Sequence, residues 1–150
     1  MLEKPDLPDE KIINCLQDAY RLHAAHIVFL PLGADINTAV YRVETGDERA
    51  YFVKLRSGPF DEISVALPKF FADQGIQQII APLASVTGQL WAILDAFKVM
   101  VYPFVDGRDG YDVVLSNLQW RDFGAALKRI HATEASSWLI NSVQRETYSP

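Results

Sequence analysis

Cysteine is nearly absent from this 150-residue sequence, with Cys15 standing alone. A single thiol excludes an intrachain disulfide framework and a thiolate-rich metal site, and a reducing compartment is the simpler expectation. Histidine is scarce as well: His23, His26 and His131 lack the close spacing of a metal-binding pair, except for His23 and His26, which straddle an expected element boundary. Surface or packing roles are expected for all three. No apolar run approaches the length of a membrane span, and the opening MLEKPDLPDEK is charged and proline-broken where a secretory leader needs an apolar stretch. A cytoplasmic protein without a membrane partner is the expectation. Positive charge is in deficit, 14 basic against 19 acidic residues for a net charge of −5, which argues against a surface that neutralises nucleic acid or anionic lipid. One well-placed lysine can still hold a nucleotide on an acidic protein.

What is present suffices for a core, since 49% of the residues are apolar and 22% charged. Pro8 followed by DEKIINCLQDAYRL predicts a helix, with Asp9 and Glu10 in its acidic first turn and Ile12, Ile13, Leu16, Ala19 and Tyr20 on one face. Cys15 sits within it as a small helix residue. From His26 the period changes to three strands, HIVFLPL, TAVYRVET and AYFVKLR, rich in β-branched and aromatic residues. Gly46-Asp47-Glu48-Arg49 is their second hairpin turn, and Gly33-Ala34-Asp35-Ile36-Asn37 is a polar loop between the first two strands.

Asp61 is positioned to cap a helix reaching about Gln74 and closed by Gly75, with Pro68 either kinking it or marking its true first turn. Two further strands are expected in QLWAILDA and FKVMVYPFV, for five in all, turning around Asp95-Ala96. After the Gly/Asp-rich DGRDGYD, apolar residues at Leu118, Phe123, Ala126, Leu127 and Ile130 return to helical spacing. The tail SSWLINSVQRETYSP has little periodicity and is expected to be a linker.

The order strand, glycine loop, strand, hairpin, lysine-bearing strand, helix, two strands, hinge and helix suits nucleotide binding. A loop between strands can fold its N–H groups over phosphates; Gly33 permits close approach and Asn37 tolerates a left-handed backbone. Asp35 is an odd neighbour for phosphate and is expected to point away or to act through its backbone. Lys54 lies in the otherwise apolar Tyr51-Phe52-Val53-Lys54-Leu55, where a charge is costly unless it meets an anion.

The stretch from Leu30 to Leu83, then VMVYPFVDGRDGY and WRDFGAALKRIHA, resembles the amino-terminal lobe of aminoglycoside phosphotransferases, closest to their spectinomycin-phosphotransferase branch. The resemblance implies an α+β, protein-kinase-like lobe: a five-stranded antiparallel sheet with flanking helices over residues 1–105, then a hinge and the start of a helical lobe over 106–150. It implies ATP and Mg²⁺ as cofactors, with Lys54 on the α- and β-phosphates, oriented by a helix carboxylate. Glu62 is the chosen partner, with Asp61 adjacent and a plain helix-start role for both left open. Gly33, Asn37 and Thr38 would belong to the phosphate loop, and Val40 and Phe52 would cover the adenine. In the hinge, Tyr102 would be the gatekeeper, the Pro103 carbonyl would accept from the adenine amine and the Val105 N–H would donate to the ring, while Phe104 is either packing or an adenine contact.

No catalytic aspartate loop or metal ligand of the family is recognised in the chain, so no catalytic or metal residue is assigned; in the family these would follow Pro150. Asp122-Phe123-Gly124 spells a kinase metal-binding triplet but falls in a helical run with no catalytic loop before it, and is rejected. The implied activity is transfer of the ATP γ-phosphate to a hydroxyl of an aminoglycoside- or aminocyclitol-like acceptor, incomplete in this chain alone. Two alternatives are a non-catalytic kinase-like module acting through protein contacts and a lobe of a choline, sugar or homoserine kinase. An apolar face left open by a missing second lobe would favour self-association.

Overall fold

The computed structural model describes residues 3–33, 35–108, 110 and 112–143. Contacts divide the chain into two compact units, one running to Phe60 and resuming over Ala81–Asp106, the other comprising Asp61–Ile80 and the residues from Gly107 onward.

The first unit is built on a five-stranded antiparallel sheet, β1 Ala24–Leu30, β2 Thr38–Thr45, β3 Ala50–Ser57, β4 Ala92–Leu94 and β5 Phe97–Pro103, in the order β1-β2-β3-β5-β4. Helix α1, Asp9–Tyr20, opens after extended Pro8 with Asp9 and Glu10 in its first turn, where carboxylates favour the helix dipole. Ile12, Leu16 and Tyr20 recur every fourth residue and are its buried face. They join one face of the sheet, where Tyr41, Val43, Val53, Leu55, Val99 and Val101 are fully buried and Ile27, Phe29 and Leu94 pack alongside. Burying each large side chain contributes about 1.5–3 kcal/mol.

Period-two alternation therefore splits every strand. Val53 and Leu55 enter the core while Phe52, Lys54 and Arg56, the alternate residues of β3, stand on the opposite face. The sequence expectation that Lys54 is a charge stranded in an apolar strand is corrected by this geometry: the strand is two-faced, and Lys54 is only part-buried.

The β2–β3 turn uses Glu48 at φ 62°, tied by the Thr45 N–H to the Arg49 carbonyl at 2.9 Å, and the β4–β5 turn uses Asp95 at φ 51°. The fourth strand is shorter than QLWAILDA suggests, because Trp91 packs on Phe60, with ring centroids 5.2 Å apart, just before the ladder begins at Ala92. Strand β1 carries a register shift between Ala24 and His26.

In the second unit, α2 spans Ile63–Asp73, α3 Asn117–Ala132 and α4 Ser137–Ser142. The Ile63 N–H donates to Asp61 Oδ1 at the start of α2. Pro68 is the sixth residue of that helix, so it does not mark the first turn. Gly75, at φ 76°, closes α2: its N–H donates to the Ala72 carbonyl and the Ile76 N–H to that of Phe71, a double bond pattern that suits a left-handed residue. Arg129 of α3 donates to the Gly75 carbonyl at 2.9 Å. Helix α3 starts at a reciprocal cap, in which the Ser116 hydroxyl accepts from the Gln119 N–H and the Gln119 side chain accepts from the Ser116 N–H. The tail does not stay irregular: α4 forms behind Ser136, whose hydroxyl caps the Leu139 N–H. Among the described residues, no helix is long and apolar enough to cross a membrane.

Candidate nucleotide site on the sheet face opposite α1

Strand register assembles three rows on the face turned away from α1. Val40, Lys54 and Met100 are paired across β2, β3 and β5; Arg42, Phe52 and Tyr102 form the row on one side, and Thr38, Arg56 and Lys98 the row on the other. Paired residues of antiparallel strands share a face. Thr38, Val40, Phe52, Lys54 and Tyr102 are thereby brought together. Val40 and Met100 are buried and flank Lys54 with apolar walls, which raises the strength of any charge contact the lysine makes. Among the described residues of its unit, no carboxylate lies within 4.0 Å of Lys54 Nζ.

The loop before β2 abuts the Thr38 row. Gly33 has φ 95°, a conformation that a side chain disfavours. Asp35 turns back onto its own loop: its carboxylate accepts from the Asn37 N–H at 2.9 Å and the Thr38 hydroxyl at 3.0 Å, and it also pairs with Arg56. The Asn37 N–H holds the carboxyl below its ordinary value, helped by Thr38 and Arg56. The Asn37 carbonyl in turn accepts from the Ser57 N–H at 2.9 Å, fastening the loop to the end of β3.

At the other end, Phe52 and Tyr102 meet edge to face at 6.4 Å, and burial pushes the Tyr102 phenol up. Pro103 ends β5 opposite Tyr51, and the Phe104 N–H donates to the Ala50 carbonyl at 3.0 Å. The Phe104 ring receives the Arg42 guanidinium at 4.7 Å from its centroid, while Val105 is exposed. Glu62 belongs to the second unit, where its carbonyl accepts from the Val65 and Ala66 N–H groups as the cap of α2.

Met100, Arg56 and Lys98 belong to this face and were not singled out from the sequence. Their signal was the alternation in FVKLR and FKVMVYP, which separates 52, 54 and 56, and 98, 100 and 102, from the core residues between them. Asp122, Phe123 and Gly124 lie in the middle of α3, within continuous helix. Among the described residues, no three His, Cys, Asp or Glu side chains converge as a metal site. Burial and the neighbouring Asp18 raise the Cys15 thiol, so it is no ready nucleophile.

A five-stranded antiparallel sheet with α1 packed on one face and a central lysine on the other defines a kinase-like fold. Residues 28–139 match the family described as phosphotransferase enzyme family (APH), and the chain belongs to that family. It is similar to spectinomycin phosphotransferase APH(9)-Ia solved with ADP and spectinomycin, at 29% identity and a TM-score of 0.89 over 97% of this chain and 44% of that one. The AMP-bound complex of the same enzyme gives 27% identity and a TM-score of 0.81, over 93% and 42%. Amicoumacin kinase hAmiN, solved with AMP-PNP, Ca²⁺ and Ami, shares the fold at 17% identity and a TM-score of 0.59, over 89% and 43%. The chain thus spans less than half the length of these solved relatives. No curated protein sequence matches it.

Proposed function

We propose that this chain is the nucleotide-binding lobe of an ATP-dependent phosphotransferase whose acceptor is a hydroxyl of an aminoglycoside- or aminocyclitol-like small molecule. The observation that carries the reading is the row Val40–Lys54–Met100, a lysine between apolar walls on the sheet face opposite α1, in a chain similar over 97% of its length to an ADP-bound spectinomycin kinase. Residues 1–105 act as the amino-terminal lobe, and 106–150 as the hinge and the first part of the helical lobe.

In this reading Lys54 Nζ neutralises the α- and β-phosphates. Gly33 lets the loop backbone approach them, while Asn37 and Thr38 set its shape. Val40 and Phe52 cover the adenine, with Met100 as a further apolar wall and Tyr102 at the back of the pocket. The Pro103 carbonyl accepts from the adenine amine and the Val105 N–H donates to the ring, with Phe104 held beneath by Arg42. ATP supplies the phosphoryl group. The described residues offer no converging metal ligands, so Mg²⁺ enters no step assigned to this chain. A hydroxyl acceptor is the counterpart of the family's chemistry, and spectinomycin is the first to try because it is bound by the relative of 29% identity. The cytoplasm is the compartment of the proposed reaction, since ATP is its donor.

Calorimetric titration with Mg²⁺-ATP tests the site. Binding that Lys54→Ala lowers at least roughly ten-fold, with the melting curve unchanged, is the expected result for loss of a charge-assisted phosphate contact. Equal affinity in a folded Lys54→Ala protein refutes the assignment. Phosphate transfer from labelled ATP to spectinomycin, choline, homoserine and simple sugars, by a longer protein that carries this lobe together with a catalytic lobe, ranks the acceptor classes.

A second reading is favoured by the surface of the helical unit, where Leu118, Trp120, Phe123, Leu127, Trp138 and Ile140 are all exposed. Contiguous exposed apolar side chains mark contact surfaces. The chain would then act as a kinase-like module through protein contacts, self-association included. Sedimentation showing a monomer at all concentrations excludes the self-association form of that reading.

A further inference from the structure

Arg56 is a further cation of the same sheet face, beside Arg42, Lys54 and Lys98. It lies two residues past Lys54 on β3, opposite Thr38 and Lys98, and its side chain is 26% exposed. Its Nε donates to the Pro59 carbonyl at 2.9 Å. Nη1 reaches the Asp35 carboxylate and, at 3.4 Å, the Thr38 hydroxyl. Asp35 completes the cluster by accepting from the Asn37 N–H and the Thr38 hydroxyl.

A single carboxylate thus gathers a loop N–H, a hydroxyl and a guanidinium. This is the donor set that binds phosphate oxygens, and a guanidinium fork matches a phosphate at least as well as a carboxylate. Two residues along a strand are about 6.6 Å apart, which is the length scale of a polyphosphate chain. Lys54 and Arg56 are therefore spaced to hold different phosphates of one nucleotide.

We propose that Arg56 is a second polyphosphate-binding residue and that Asp35 is its intramolecular stand-in for phosphate, exchanged for the terminal phosphates when a nucleoside triphosphate binds. The inference rests on the nucleotide reading of Lys54. The exchange is non-covalent: the carboxylate leaves Arg56 and the loop N–H, and phosphate oxygens take both. Selectivity for triphosphate over monophosphate follows, because a nucleotide lacking terminal phosphates does not displace Asp35.

The test is calorimetric titration of the wild type, Asp35→Asn, Arg56→Gln, Arg56→Lys and Lys54→Ala with Mg²⁺-ATP, Mg²⁺-ADP, AMP and adenosine. Asp35→Asn, which removes the competing charge but keeps an amide oxygen for the Asn37 N–H, should tighten ATP roughly five-fold and leave adenosine unchanged. Arg56→Gln should weaken ATP roughly ten-fold without touching adenosine, and Arg56→Lys should recover only part of that loss, because an ammonium keeps the charge but not the fork. A purely structural pair gives another pattern: Asp35→Asn leaves ATP unchanged or weakens it, or Arg56→Gln weakens all four ligands alike, and either result overturns the proposal. If Lys54→Ala binds ATP as the wild type does, the nucleotide reading fails and takes this inference with it. If Lys54→Ala abolishes binding while Asp35→Asn has no effect, only the exchange fails. Thermal melts of each variant separate loss of binding from loss of fold.

Discussion

Two core tyrosines predict opposite outcomes for the same substitution. Tyr20 of α1 donates its hydroxyl to the Val99 carbonyl at 2.8 Å across the buried interface with the sheet. Tyr41 of β2 is fully buried, packs edge to face on Phe29 at 5.5 Å, and has no hydrogen-bond partner for its hydroxyl among the described residues. Burial lifts both phenols, that of Tyr41 to about 12, so neither ionises at neutral pH. Tyr20→Phe deletes a made hydrogen bond and should cost about 1 kcal/mol. Tyr41→Phe deletes a desolvated hydroxyl that gains nothing in the fold, leaving the ring and its packing intact. It should be neutral or stabilising by up to about 1 kcal/mol, with the midpoint rising by roughly 2–4 °C at most for a chain of this size. Urea unfolding followed by circular dichroism gives both values. The reasoning is refuted if Tyr41→Phe destabilises by more than about 1 kcal/mol, which would mean that the hydroxyl has a strong partner such as a buried water, or if Tyr20→Phe is silent.

Gly75→Ala should cost about 1 kcal/mol in thermal unfolding, because φ is 76° at the residue that closes α2, while a Cβ would meet Arg129 Nη2 at 3.7 Å, an ordinary contact and not a clash. Ser116→Ala should lower stability by about 1 kcal/mol through the reciprocal cap of α3, and Ser116→Asp should recover most of it. The Asp47 carboxyl is held below its ordinary value of 3.8 first by the Thr45 hydroxyl and then by Arg49. Its contribution is therefore present above that ordinary value and lost as pH falls through the lower folded one. Asp47→Asn should be less stable than wild type near pH 7, with the difference closing below about pH 4.

The hairpin strands were legible because β-branched and aromatic residues cluster between turn residues. Expected TAVYRVET coincides with β2, and AYFVKLR with all but the last residue of β3. Helix α1 was legible from its four-residue apolar recurrence and α3 from its return to that spacing. The fourth strand was over-read, since an aromatic such as Trp91 scores as strand whether it enters a ladder or packs on Phe60. The short α4 was missed because six residues give too little periodicity, although Ser136 was available as a cap signal. At the site, Lys54 was found as a charge among apolar residues, but for an incomplete reason. The alternation that places it on the face opposite α1 also places Arg56 and Met100 there, and it went unread. Nor could sequence spacing show that Asp35 and Arg56, 21 positions apart, form one pair.

The strand order has a consequence for how the molecule breathes. Because β5 crosses to the far side of β3, the lysine-bearing strand is the middle one of five, with ladder partners on both sides. Amide exchange should be slowest along β3, in the part of the unit that opens only with global unfolding, and faster at Leu32, Gly33 and Ile36 at the sheet's end. A ligand arriving at this face meets Lys54 and Arg56 on a rigid rail and, beside it, loop residues tied to that rail through the Arg56–Asp35 pair and the Ser57 N–H on the Asn37 carbonyl. Substitutions at Asp35 or Asn37 therefore act on the end of β3 as well as on the loop, while Lys54, two residues further into the ladder, keeps its partners on both sides.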